Sequence, residues 1–253
     1  RASRQVAHTL QMSFFHLAVL LAAVLAGATA SVVGFGIGSL LTPLLAARFG
    51  ASIAVAAVTL PHALATAVRC WRLRGSIDRR VLTRFGLLSA AGALGGALLY
   101  TRLGPSTLTG ILGGLLILTS LAQLSGWSRR WQPRGALVSV FGLVSGFFGG
   151  VAGNQGGLRA AALTTFRLSP PGFVATATAT GLLVDLARTP IYLWSTGPDL
   201  VPLAWPIGLA SLGVLIGTLL GERLLLGLSP RRFGHIVGVA IGLLGVWLIS
   251  VAA

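Results

Sequence analysis

Two glycine-studded breaks interrupt apolar stretches of this chain, one in each half. The first reads Gly34-Phe35-Gly36-Ile37-Gly38-Ser39, and the second Gly149-Gly150-Val151-Ala152-Gly153-Asn154-Gln155-Gly156-Gly157-Leu158-Arg159. In hydrocarbon an unpaired backbone N–H or C=O costs several kcal/mol, so a lipid-buried segment normally stays helical throughout. Broken backbone at membrane depth is tolerated where it is buried in protein or lines a wet cavity. Matching breaks in two halves therefore point to a binding site at their meeting place.

The chain must first be shown to lie in a membrane. Of its 253 residues 55% are hydrophobic and 9% charged, with mean hydropathy +0.89; a soluble domain carries about 25% charge. Ten apolar segments fill almost the whole length: 14–33, 39–48, 51–68, 85–101, 107–125, 136–152, 157–167, 172–194, 203–221 and 233–252. Many approach the roughly 20 residues that span a bilayer. The run from Phe14 to Ala28-Thr29-Ala30 has the look of a secretory leader. It continues into the first break, however, and is read as the first membrane segment.

The net charge of +15 comes entirely from arginine, with no lysine. These arginines gather in short loops between apolar runs, which sets membrane orientation and excludes a nucleic-acid surface. The single cysteine, Cys70, excludes an internal disulfide and any cysteine metal cluster. Four acidic residues are too few to hold Mg²⁺ or Ca²⁺. No cofactor motif is present, and no cofactor or metal is expected.

The order of segment lengths repeats, and so do short stretches: Gly92 to Gly96 with Arg102-Leu103 resembles Gly213 to Gly217 with Arg223-Leu224. Arginine placement then orients the halves. Arg69, Arg72, Arg74, Arg79, Arg80 and Arg84 crowd the loop 69–84, whereas the corresponding stretch 189–221 has no arginine and carries Asp199. Equivalent loops would thus face opposite sides of the membrane. The expected fold is an all-α polytopic membrane protein of two inverted repeats, 1–125 and 126–253. Each repeat has a broken or re-entrant helical hairpin (14–48 and 136–167) plus three full transmembrane helices. Both termini are expected on the extracytoplasmic side of a bacterial cytoplasmic membrane. Trp71, Trp127, Trp131, Trp194 and Trp205 fall near predicted helix ends, as interfacial anchors do.

A short helix starting just after each break aims unpaired N–H groups and the positive end of its dipole at the break. Two such ends facing each other make an anion site. Gly36, Gly38, Gly153, Gly156 and Gly157 would let a ligand approach the backbone closely. Ser39 and Thr42 would offer hydroxyls, Asn154 and Gln155 amide donors, and Arg159 a forked cation suited to an oxyanion. The same glycines could merely serve helix packing, as Gly92, Gly96, Gly113 and Gly238 do. His62 is a candidate proton relay or a hydrogen-bonded packing residue. Asp185 and Arg188, three residues apart on one helix face, are candidates for gating or coupling, or for a structural ion pair near the outer helix end. Pro43, Pro61 and Pro190 are expected to kink their helices.

At these residues the chain resembles the sulfite exporter TauE/SafE family of membrane permeases. Gly34-Phe-Gly-Ile-Gly-Ser-Leu-Leu-Thr-Pro43 is similar to that family's first-repeat signature, and Gly146-Phe-Phe-Gly-Gly-Val-Ala-Gly-Asn-Gln-Gly-Gly-Leu-Arg159 to its second. One departure is Gly36-Ile37-Gly38-Ser39, where many members carry three consecutive glycines. The resemblance implies outward transport of a small sulfur-containing anion such as sulfite or an organosulfonate. It also implies a binding role for Gly36, Gly38, Ser39, Gly153, Asn154, Gln155, Gly156 and Arg159.

The function expected is that of a secondary transporter exporting a small anion by alternating access. The alternatives are a passive anion channel and a carrier of another small solute or a metal cation. An intramembrane hydrolase using Ser145 and His235 would lack a Gly-x-Ser-x-Gly elbow, and no His-Glu-x-x-His is present, so no catalytic residues are assigned. The expected partners are a small anionic substrate and membrane lipid, with no nucleic acid; a homodimer is left open.

Overall fold

The computed structural model describes residues 2–126, 135–154, 156–224 and 230–252. Among these it has ten main helices, one for each apolar segment. The first half holds α1 (Ala2–Val33), α2 (Ile37–Phe49), α3 (Ala51–Leu73), α4 (Arg79–Tyr100) and α5 (Pro105–Leu124). The second holds α6 (Ala136–Ala152), α7 (Gly156–Leu163), α8 (Pro170–Leu200), α9 (Ala204–Leu224) and α10 (Pro230–Ala252). Among the described residues five helical runs are long and apolar enough to cross a membrane: Met12–Val32, Ala51–Ser76, Arg79–Tyr100, Pro105–Leu124 and Pro170–Gly221. The chain is a polytopic, all-helical membrane protein. Leu118, Leu121, Leu186 and Leu243 are among many large aliphatic side chains left on its outer surface, where lipid would cover them.

The hairpin arms are unequal. The run Met12–Val32 inside α1 is itself of span length, longer than a re-entrant arm requires. By contrast α2 has 13 residues and α7 has 8, reaching only about 20 Å and 12 Å of a core about 30 Å thick. The helices continue through Pro43, Pro61 and Pro190, so these prolines end no element. Trp71, Trp194 and Trp205 are exposed near helix ends; Trp127 and Trp131 lie outside the described residues.

Local chemistry fixes where elements start and stop. Gly34 (φ 84°), Gly36 (φ 134°) and Gly153 (φ 70°) take backbone angles that favour glycine, at the two breaks. Asp78 caps α4, its Oδ1 accepting from the N–H groups of Arg80 and Val81. Ser169 caps α8 ahead of Pro170.

Glycines bring the helix backbones together. On α4, Gly92 and Gly96 sit against the carbonyls of Leu143 and Phe147 on α6; on α9, Gly213 and Gly217 sit against those of Leu20 and Val24 on α1. The pairs α4–α6 and α1–α9 run parallel. The pair α5–α10 runs antiparallel, with Gly113 facing Gly245 and Gly238 facing Leu124. So does α3–α8. Asp78, just past α3, bonds Thr176 near the start of α8, and Tyr100 joins Ser52 near the start of α3 to Thr196 near the end of α8. Exchanging the two halves carries α4–α6 onto α1–α9 and leaves α3–α8 and α5–α10 as they are.

A side chain at Gly96 would have to displace backbone on α6, whereas Gly95, one position along, has open space beside it. Gly96→Leu is expected to destabilise the protein by about 1–3 kcal/mol or more, seen as a melting temperature several degrees lower in detergent. Gly95→Leu should melt within a degree of the parent. Equal melting of both variants would contradict the packing described.

Candidate functional site

The two breaks meet in the interior. Ser39, in the first turn of α2, donates from Oγ to Asn154 Oδ1 at 3.1 Å. A Cβ on Gly38 would lie 2.6 Å from the Gly153 carbonyl oxygen, and one on Gly156 would strike the Phe35 side chain at 2.6 Å. Neither position has room for a side chain while the two tips touch. Arg159, on α7 and 2% exposed, crosses to the other half, where Nη2 reaches the Gly34 carbonyl at 3.4 Å. Its Nη1 has no partner and lies against Gly181 on α8.

Between the tips is a small cavity lined by Phe35, Gly36, Gly38, Ser39, His62, Gly153, Asn154, Gly156, Arg159 and Arg188. Only about 10 Å³ of it is open to the centre of a water molecule, room for roughly one water. The site is therefore closed to any larger solute in this conformation. Donors around it are underused. Asn154 Nδ2 and Arg159 Nη1 are buried without partners, and no side chain caps the N-terminus of α2, leaving its first N–H groups without intrahelical acceptors.

Beside the cavity sits a buried ionic cluster. The Asp185 carboxylate is fully buried and saturated. Oδ2 lies 2.6 Å from His62 Nδ1 and accepts from Thr66 Oγ1 at 3.0 Å. Oδ1 accepts from Arg188 Nε at 3.2 Å and Nη2 at 2.9 Å. Arg188 Nη1 donates to the Gly149 carbonyl at 2.5 Å, and Tyr192 Oη donates to that of Gly150. The Gly149 carbonyl also accepts from the Gly153 N–H at 3.1 Å, and Gly150 lies in the last turn of α6, where carbonyls run out of intrahelical N–H donors. The pair Asp185–Arg188 thus belongs to the interior and reaches the second tip; it is not a tie near an outer helix end.

Most of the residues expected from sequence converge here: Gly36, Gly38, Ser39, His62, Gly153, Asn154, Gly156, Arg159 and Arg188 line the cavity, and Asp185 stands directly behind it. Thr42 is buried with a free hydroxyl but is not among the lining residues. Gly157 packs against Thr119. Gln155 lies outside the described residues. Two residues take positions that the sequence does not announce. Phe35 fills the space over Gly156, and it drew no notice because one phenylalanine in an apolar run carries no chemical signal. The arginine cluster places Arg69 in the 69–84 loop, whereas α3 extends to Leu73 and leaves Arg69 buried.

The charge balance decides what the site can hold. Among the described residues the buried charged groups are Arg69, Arg159, Arg188 and Asp185, three cations to one anion. Asp185 neutralises Arg188. Two guanidinium groups remain without a counter-charge in a low-dielectric interior, where an unpaired charge costs several kcal/mol. An anion is the ligand that relieves that cost.

A helical membrane bundle whose two backbone breaks meet at a buried cationic cavity has the build of a solute transporter. The family model for the sulfite exporter TauE/SafE matches residues 19–248, and the chain belongs to that family. It is a family of membrane transporters, not of enzymes, and membership implies a small anionic substrate. No curated protein and no solved structure matches the chain.

Proposed function

We propose that the protein is a secondary transporter that exports a small sulfur oxyanion, sulfite or an organosulfonate, across a bacterial cytoplasmic membrane by alternating access. The observation that carries this reading is the uncompensated positive charge of Arg159 between two glycine tips. In this reading the substrate displaces the Ser39–Asn154 contact. It then accepts hydrogen bonds from Ser39, the Asn154 amide, the first N–H groups of α2 and α7, and Arg159. Gly36, Gly38, Gly153 and Gly156 keep the approach free of side chains. A membrane potential negative inside favours outward movement of an anion by about 2.3 kcal/mol per charge per 100 mV, so export requires no ATP.

Two inverted repeats supply the motion. The equivalent helices α3 and α8 lie side by side antiparallel, as do α5 and α10. That relation supports an axis in the membrane plane; an axis along the membrane normal would leave equivalent helices parallel. Both termini then lie outside the cell, given the arginine-rich 69–84 loop inside. Rocking one half against the other would open the cavity to alternate sides. The bonded set His62, Thr66, Asp185 and Arg188 spans α3 and α8 and ties to the tip through Gly149, which suits it to gating or coupling. A cavity with room for roughly one water favours a carrier over an open channel.

The test is flux in proteoliposomes. Sulfite efflux should saturate with concentration, and external sulfite should drive counterflow of labelled internal sulfite. Flux that rises linearly without counterflow would mean a channel. No anion flux above empty liposomes, for sulfite, sulfate, thiosulfate, sulfoacetate, taurine or monocarboxylates, would refute the proposal.

A further inference from the structure

Arg69 lies on α3 one turn beyond Thr66, and His62, Thr66 and Arg69 share one helix face. It is 4% exposed. Its Nε and Nη1 are buried without a hydrogen-bond partner, and among the described residues no salt bridge reaches it, the buried carboxylate of Asp185 being bonded to His62 and Arg188 instead. Register places it. Because α3 and α8 run antiparallel and Thr66 bonds Asp185, one turn toward the C-terminus of α3 is one turn toward the N-terminus of α8, level with Gly181. Arg159 presses its own unpartnered Nη1 against Gly181, so the register brings Arg69 and Arg159 to the same level of α8. Thr178, on the same face of α8, has a buried hydroxyl with no partner.

We infer that Arg69 and Arg159 together form a second anion-binding point beside Gly181, one step from the central cavity toward the 69–84 loop, built for a doubly charged oxyanion. This deepens the reading above and rests on Arg159 being a substrate ligand. One guanidinium suffices for a singly charged sulfonate. Two buried guanidinium groups at one level of α8, with the Asp185 carboxylate already bonded to His62 and Arg188, would be relieved by a dianion bridging them, each fork donating two hydrogen bonds to oxygen. Thr178 supplies a further donor. An anion handed from Arg69 to Arg159 never leaves positive charge on its way from the arginine-rich loop to the glycine tips.

The test uses the full-length purified protein and calorimetric titration at alkaline pH, where sulfite is doubly charged. Methanesulfonate, which presents three sulfonate oxygens with one charge, is the comparison. Arg69→Gln is expected to weaken sulfite binding by about 10- to 100-fold, and methanesulfonate binding by less than about threefold. Its anion-free melting temperature should rise, because an uncompensated buried charge has been removed. Arg69→Lys keeps the charge but loses the fork, and should fall between the parent and Arg69→Gln; it is the readout if Arg69→Gln gives no folded protein. Parental sulfite affinity in Arg69→Gln, or in Arg69→Lys where only that variant folds, would overturn the inference. So would a lowered melting temperature with affinity unchanged, the mark of a purely structural tie. If Arg159→Gln abolishes binding while Arg69→Gln keeps it, the central site stands and Arg69 has no part in it. If the parent protein binds neither anion, both readings fall.

Discussion

Arg159→Gln is expected to reduce sulfite affinity by at least about 100-fold and to stop transport, while the protein stays folded. The reason is the ledger of buried charge. Among the described residues Arg159 has a long hydrogen bond to the Gly34 carbonyl and a buried Nη1 with no partner. The protein therefore gains little from its charge until a ligand arrives. A forked pair of charge-assisted hydrogen bonds contributes about 1.5–3 kcal/mol per bond, and 2.7 kcal/mol is already about 100-fold in affinity. Glutamine keeps much of the length and one donor, so packing against Gly181 survives. Calorimetric titration reads the affinity, and a thermal melt reads the fold. A variant that binds sulfite as the parent does would remove Arg159 from the site. A variant that fails to fold would show that its one bond to Gly34 holds the hairpins together.

The opposite pattern is expected at Asp185. Asp185→Asn should lower the melting temperature by on the order of 10 °C, with or without anion present. The carboxylate is the sole counter-charge to Arg188 among the described residues and receives bonds from Thr66 and Arg188 beside its contact with His62. Removing one partner of a buried pair costs about 3–5 kcal/mol, because the other charge is left uncompensated. For a chain of this size each kcal/mol moves the melting temperature by about 2–4 °C. The defect should be partly repaired by removing the stranded cation as well: Asp185→Asn with Arg188→Gln should melt above Asp185→Asn alone. A single variant that melts like the parent would mean that the cluster contributes no stability and that Arg188 finds its main support at Gly149.

These two residues also show how much of the fold is legible in the sequence. Ten apolar segments, two glycine breaks and a repeat of lengths are patterns with a strong physical cause, since lipid forbids irregular backbone except where it is sheltered. They led to the ten helices and to a meeting of Ser39 with Asn154 across 115 positions of sequence. The burial of Arg159 is legible because the residue falls one turn into a short apolar helix. The connection of His62 to Asp185 was not legible. Each residue stood out separately, but which face of α3 meets which face of α8 depends on packing that no local spacing encodes. Arg69 was misplaced for a related reason: a cluster of arginines marks a loop on average, and the helix simply ran one turn into the cluster. The length of α1 was hidden because its first dozen residues are polar enough to resemble a tail.

The central claim is that a small anion sits between the glycine tips, held by Arg159. Selenite has the pyramidal shape and charge of sulfite and carries an anomalous scatterer, so a crystal of the protein grown with selenite tests the claim directly. The account predicts one selenium peak in the cavity bounded by Gly36, Ser39, Gly153, Asn154 and Arg159, with the anion oxygens within hydrogen-bond distance of the Arg159 guanidinium. Well-ordered tips with no selenium between them, in crystals of protein that transports selenite, would contradict it.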